Sequence, residues 1–170
     1  MENRVLSRYG EAMTDPTSLP NFPPPPDEHP LRGRVLDVLI DMGLAPDIDG
    51  DGDVAFKANE QQLFVRCSEG DFQIMRVFGQ WQIVEDLASD VGHLLQTCNE
   101  VNLSLNCVKT GIVNNTLVVT GEHLVTEGAD VRQLVEVTTQ IILSTVQMWH
   151  ERAFGEGQAD GGNPEGAGSD

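Results

Sequence analysis

Cysteine is scarce in this chain, basic residues are outnumbered, and no long apolar run occurs. Cys67, Cys98 and Cys107 form an odd set at wide spacing with no CxxC pair, which argues against a disulfide framework and against a zinc site. Free thiols in a reducing cytoplasm are expected. Lys and Arg number 10 against 27 Asp and Glu, a formal net charge of −17. Phosphate binding draws on clustered Lys and Arg, so neither nucleic acid nor an anionic membrane is expected as a partner. The acidity is not confined to the ends, because residues 30–154 alone carry 8 basic and 18 acidic residues; solubility is its simplest role. No run of eighteen apolar residues occurs, and the opening MENRVLSRYGEAMTD has no apolar stretch of signal-peptide length. The expected protein is soluble and cytoplasmic.

Catalytic and metal-binding patterns are missing as well. His29, His93, His123 and His150 are scattered, with no HxxxH or HExxH spacing. Neither a GxSxG elbow nor a glycine-rich phosphate loop occurs, and GDGDV is acidic where phosphate needs donors. Cys98 and Cys107 have no His or Lys near them in sequence to activate a thiolate, so they read as packing residues. No enzyme activity, catalytic residue or cofactor is expected.

What the chain does have is one long periodic segment at 130–152. Val131, Leu134, Val135, Thr138, Ile141, Ile142, Thr145, Val146 and Trp149 recur at three- and four-residue steps, the repeat of one helical face. Its Val, Ile and Thr content would suit a strand, but the segment is far too long for one. The spacing predicts a closing helix over a wide sheet, with Asp130 capping the first turn at Gln133.

The remainder falls into order around that helix. Residues 1–29 end in LPNFPPPPDEHP, and Pro23 to Pro26 favour an extended, polyproline-like arm that packs loosely on the core. A helix is predicted over 31–44, with Leu31, Val35, Val38, Leu39 and Met42 on one face and Gly43 near its end. Next comes DIDGDGD, in which Asp47, Asp49, Asp51 and Asp53 resemble the opening of a calcium loop. Counted from Asp47, the twelfth position is Ala58 where a bidentate Glu belongs; counted from Asp49, the sixth is Val54 where Gly belongs. A solvated acidic turn is expected there, with weak cation binding by the four aspartates as the alternative. Strands follow at 54–58, 62–68 and 72–78, separated by turn residues short enough for a meander. Their alternation is incomplete, which predicts a sheet partly covered on both faces. After Gly79 the pattern turns helical, with a boundary near Glu85. A hairpin is predicted across Asn114-Asn115, from 107–113 to 116–126. The Gly-rich acidic stretch 154–170 has almost nothing to bury and is expected to be disordered. Asn99 and Asn102 are read as closing a helix end.

The predicted fold is α+β: a five-stranded antiparallel sheet with helices mainly on one face, in the order α-β-β-β-α-β-β-α, as a single domain over 30–153. That order resembles the YbjN-type family, whose fold is similar to that of type III secretion chaperones. The residues carrying the resemblance are Cys98-Asn99-Glu100-Val101-Asn102, Leu117-Val118-Val119-Thr120-Gly121-Glu122, and Gly128 ahead of the last helix. The resemblance covers residues 31–152 and implies a homodimer that binds peptides or client segments, with no catalytic residue to carry over. Val65, Met75, Val77 and Val118 are the expected contact surface for a client or a second copy. The reading of different class is a small regulatory or sensor domain that responds to divalent cations through Asp47, Asp49, Asp51 and Asp53.

Overall fold

Residues 30–155 are described by a computed structural model of the chain. The expected proline-rich arm and nearly all of the expected disordered tail lie outside the described residues. The elements are α1 (Pro30–Asp41), β1 (Asp47–Ile48), β2 (Val54–Ala58), β3 (Gln61–Ser68), β4 (Ile74–Gln82), α2 (Glu85–Ala88), α3 (Val91–Ser104), β5 (Lys109–Val113), β6 (Thr116–Leu124) and α4 (Val131–Gly155). All strand pairs are antiparallel, in the spatial order β1-β2-β3-β4-β6-β5.

The sheet has six strands rather than the expected five. The additional strand is β1, whose Asp47 and Ile48 pair with Ala55 and Val54; two residues are too few to show a period in sequence. The third strand also runs past Phe78 to Gln82, because Trp81 and Gln82 pair with Leu117 and Thr116 on β6. The helical stretch after it is split. Val84 precedes a single turn, α2, and Asp90 then starts α3 by accepting a bond on Oδ1 from the His93 amide at 2.9 Å.

Local chemistry explains the remaining boundaries. At the end of α1 the Leu44 amide donates to the Leu39 carbonyl and the Gly43 amide to that of Ile40, with Gly43 at φ +78°, the paired bonding of a glycine-closed helix. Both hairpin turns, Asn59-Glu60 and Asn114-Asn115, have two consecutive residues in the left-handed region, which matches the right-handed twist of the strands they join. Asp130 Oδ1 accepts from the Gln133 amide at 3.0 Å, as predicted, and α4 continues to Gly155, beyond the expected end at 152.

The three longer helices lie on one face of the sheet. Leu31, Val35 and Leu39 of α1, Leu94 and Val101 of α3, and Val135, Ile142 and Trp149 of α4 are buried with Val54, Phe56, Leu63, Val65, Met75, Val77, Leu117 and Val119 from the strands. Two glycines let these layers close. A Cβ on Gly121 would lie 2.5 Å from Thr138 Cγ2 of α4, and one on Gly79 would lie 2.3 Å from the Trp81 ring. Buried hydroxyls on α4 are satisfied internally: Thr138 and Thr145 donate to the carbonyls of Leu134 and Ile141. The Trp149 indole N–H donates to Cys98 Sγ at 3.2 Å. No helix among the described residues covers the opposite sheet face, which corrects the expectation of partial cover on both.

Candidate functional site

Strand alternation sends every second side chain to that uncovered face. Its register can be followed in rows across the strands. Phe64 on β3 stands opposite Phe78 on β4, Phe78 opposite Thr120 on β6, and Thr120 opposite Lys109 on β5. One row on, Arg66 faces Arg76 and Arg76 faces Glu122; beyond that, Ser68, Ile74 and Leu124 form the rim.

The two phenylalanine rings stack with centroids 5.3 Å apart and planes at 23°, and the Arg66 guanidinium lies 5.6 Å from the Phe78 ring centre. Such a pair contributes about 0.5–1.5 kcal/mol beyond its buried area, and an exposed cation over a ring about 0.5–1 kcal/mol. Directly opposed like charges destabilise a sheet, so Arg66 and Arg76 need separate partners. Arg66 finds Asp53, donating from Nε to Oδ1 at 2.9 Å and from Nη2 to Oδ2 at 2.6 Å. Asp53 is only 3% exposed, so this two-pronged bond compensates a desolvated carboxylate. Arg76 pairs with Glu122, whose other oxygen receives Lys109 Nζ at 2.6 Å. The Lys109 hydrogen bond, assisted by Arg76, holds the Glu122 carboxyl below its ordinary range against the opposing effect of burial. Thr120 Oγ1 is shielded here without a hydrogen-bond partner.

The surface is therefore aromatic at its centre and cationic around it. Its outward strand residues include Lys57, Arg66, Arg76 and Lys109 against one carboxylate, Glu122, with Asp53 at the edge. On a chain of net charge −17, that is a local inversion of sign, suited to an extended segment carrying acidic and apolar side chains.

Three of the four residues expected to form the contact surface are elsewhere. Val65, Met75 and Val77 are 0% exposed, sealed beneath the helices, so they build the core and cannot meet a client in this arrangement. Val118 alone lies on the open face, half-buried between its neighbours. The residues that form the face, Phe64, Phe78, Arg66 and Arg76, had a signal in sequence: Arg66 and Arg76 share the parity of the two phenylalanines, and a face bearing two arginines is the wet one.

The aspartates do not gather into a cation site. Asp49 Oδ1 accepts from the amides of Asp51 and Asp53, both at 2.9 Å, closing the turn between β1 and β2. Asp53 is committed to Arg66, and Arg32 Nη1 donates to the Gly52 carbonyl at 2.9 Å. Among the described residues no three His, Cys, Asp or Glu side chains are grouped to hold a metal ion, so the aspartate turn carries no sensor reading here. Asn102 joins the end of α3 to β5, accepting from the Thr110 amide at 2.7 Å and donating to its carbonyl at 3.2 Å. Burial pushes the Cys67 thiol up to about 12, the opposite of nucleophile activation.

A second concavity, of about 610 Å³, lies between the β2–β3 turn and α4 and is lined by Gln61, Trp81, Gln147 and His150. Trp81 Nε1 donates to Gln61 Oε1 at 2.8 Å there, so its polar groups already serve the fold. No helix among the described residues is long and apolar enough to cross a membrane.

Comparison with known proteins gives the fold its relatives. The crystal structure of YbjN from E. coli superposes with a TM-score of 0.52 at 15% identity, covering 72% of this chain and 92% of that one. An uncharacterized protein from Methanothermobacter thermautotrophicus superposes at 0.50 with 13% identity, covering 71% and 97%. At those identities the likeness is one of fold. No protein of curated function matches the sequence significantly. A family signature does match, over residues 29–151, spanning α1 to most of α4. The chain belongs to the TY-Chap1 family, described as T3SS (YopN, CesT) and YbjN peptide-binding chaperone 1.

Proposed function

We propose that this protein is a non-enzymatic, chaperone-like module of the cytoplasm that holds an extended client segment against its open sheet face and works as a homodimer. The observation that carries the reading is the uncovered face itself, where a stacked Phe64–Phe78 pair sits among Arg66, Arg76 and Lys109 on an otherwise acidic chain. Aromatic rings supply contact area at little entropic cost, and the cations select for acidic segments. The homodimer reading is supported by a separate apolar surface: Val91, Leu95 and Leu103 on α3 and Val113 on the edge strand β5 are all more than half exposed.

Site-specific photo-crosslinking tests the proposal. A benzophenone amino acid in place of Val118 should capture peptide segments in cells, enriched in Asp, Glu and apolar residues, whereas the same group in place of Gln140 on the outer side of α4 should capture few. Equal capture at both positions, or none at Val118, would sink it.

A further inference from the structure

We infer that the N-terminal arm of this same chain is a resident occupant of the open face, with residues 19–26 crossing the rim at Phe72, Ile74 and Leu124 and Phe22 lying beside Phe64 and Phe78. The inference rests on the reading of that face as a binding surface and adds a built-in competitor to it.

Three observations lead there. The first is the exit route. The Leu31 amide donates to Glu69 Oε1 at 3.3 Å, so the arm joins α1 beside the β3–β4 turn, at the end of the sheet where the rim lies. A groove of about 720 Å³ opens at that point, and it is lined by Arg34, Phe72, Gln73, Leu124 and Glu127. Phe72 is 72% and Leu124 64% exposed, so an apolar path leads from the start of α1 to the open face.

The second is reach. Phe78 stands four residues beyond Ile74, about 14 Å along the strand. Phe22 stands eight residues before Pro30, and with four consecutive prolines between them the span is about 25 Å at the polyproline rise. About 11 Å is left for rounding the sheet from the helix layer, close to the ~10 Å spacing of packed layers.

The third is chemistry. Residues 1–29 carry five acids against two arginines, while the face holds four of the chain's cations. Proline runs dock on aromatic and aliphatic ridges, and Phe22 is the aromatic residue that can join the Phe64–Phe78 stack. A tether this short gives an effective concentration on the order of millimolar, enough to hold off weak clients and to yield to strong ones.

The test uses the full chain with Phe22→Ala, Pro24→Gly and Pro25→Gly together, compared with the unaltered chain by amide NMR. These positions lie outside the helices and strands, so the fold should persist and report on itself. Shift changes are expected along β3, β4 and β6 and in the loops at 69–73 and 125–128, with α3 unmoved. A peptide of residues 16–29, added to the variant, should reverse them, and 0.5 M salt should weaken that reversal. Benzophenone capture of client segments at Val118 should rise severalfold in the variant.

Spectra that are identical, or that change on the α3 side, overturn the inference. Changes that grow with protein concentration identify a second copy as the occupant and also overturn it. Capture at Val118 that is strong and equal in both chains leaves the client reading standing and removes the arm. Arm-dependent shifts with no client capture in either chain do the reverse.

Discussion

The two faces of the central sheet are made from the same strands, yet they obey different rules. On the helix side Val54, Val65, Val77 and Gly121 lie in one continuous row, small residues whose task is to let helices approach. On the other side the adjacent row is Arg66, Arg76 and Glu122, long residues that neutralise one another and lean over aromatic rings. The helix side tolerates almost no added volume. The open side has room and unspent hydrogen-bonding capacity, and that asymmetry marks it as the surface available to a partner.

The sharpest way to break the comparison is to put the same charge on each face. Val77→Asp buries a carboxylate among apolar helices and should cost about 4 kcal/mol or more, unfolding much of the population. Val118→Asp, one strand away on the open side, should stay within about 0.5 kcal/mol; urea denaturation followed by circular dichroism measures both. Similar losses at the two positions would mean that the open face is covered in solution.

A smaller loss is expected from one methyl group. Gly121→Ala drives a Cβ against Thr138 Cγ2 and toward the Cys107 carbonyl, and should cost about 1–3 kcal/mol by overpacking. Gly111→Ala on β5, where nothing lies within 4 Å, is the matched control and should be nearly neutral.

The smallest effect is electrostatic. The Glu122 carboxyl titrates below its ordinary value because Lys109 and Arg76 favour its charged form. A carboxylate depressed in the folded state contributes stability that is complete above its unfolded pKa of about 4.3 and is lost as pH falls through the folded value. An NMR titration should therefore place the Glu122 midpoint below the other exposed glutamates, and Lys109→Met should raise it. A midpoint unmoved by that substitution would remove Lys109 as the principal cause.

Much of this fold can be read from residues alone, for reasons that are local. The 3.6 period of α4, its Asp130 cap, the hairpin at Asn114-Asn115 and the stop at Gly43 each follow from chemistry within a few positions. The face assignment depends on more. A period of two separates Val65, Met75 and Val77 from Phe64, Arg66 and Phe78, yet it does not say which set lies under the helices. The phenylalanines on the wet side blurred the contrast, and the glycines at 79 and 121, placed where helix or ring presses closest, resolve it only once the packing is known. The two-residue strand β1 was out of reach for a different reason, since pairing of Ile48 with Val54 is set by the turn at Asp49 and has no period of its own.

The pairing of β4 with β6 has a consequence for how the molecule assembles. β2, β3 and β4 join through tight turns, as do β5 and β6, but the ladder from Ile74–Leu124 to Gln82–Thr116 closes only after residues 83–115 have been looped out. Two quickly formed halves thus wait on one slow junction, whose entropic cost grows with the logarithm of the loop. Because α3 lies within that loop and Asn102 ties its end to β5, the helix sets how far apart the halves start. Lengthening the loop should slow folding while leaving the unfolding rate nearly unchanged, so the seam between β4 and β6 acts as the rate-setting step of the fold.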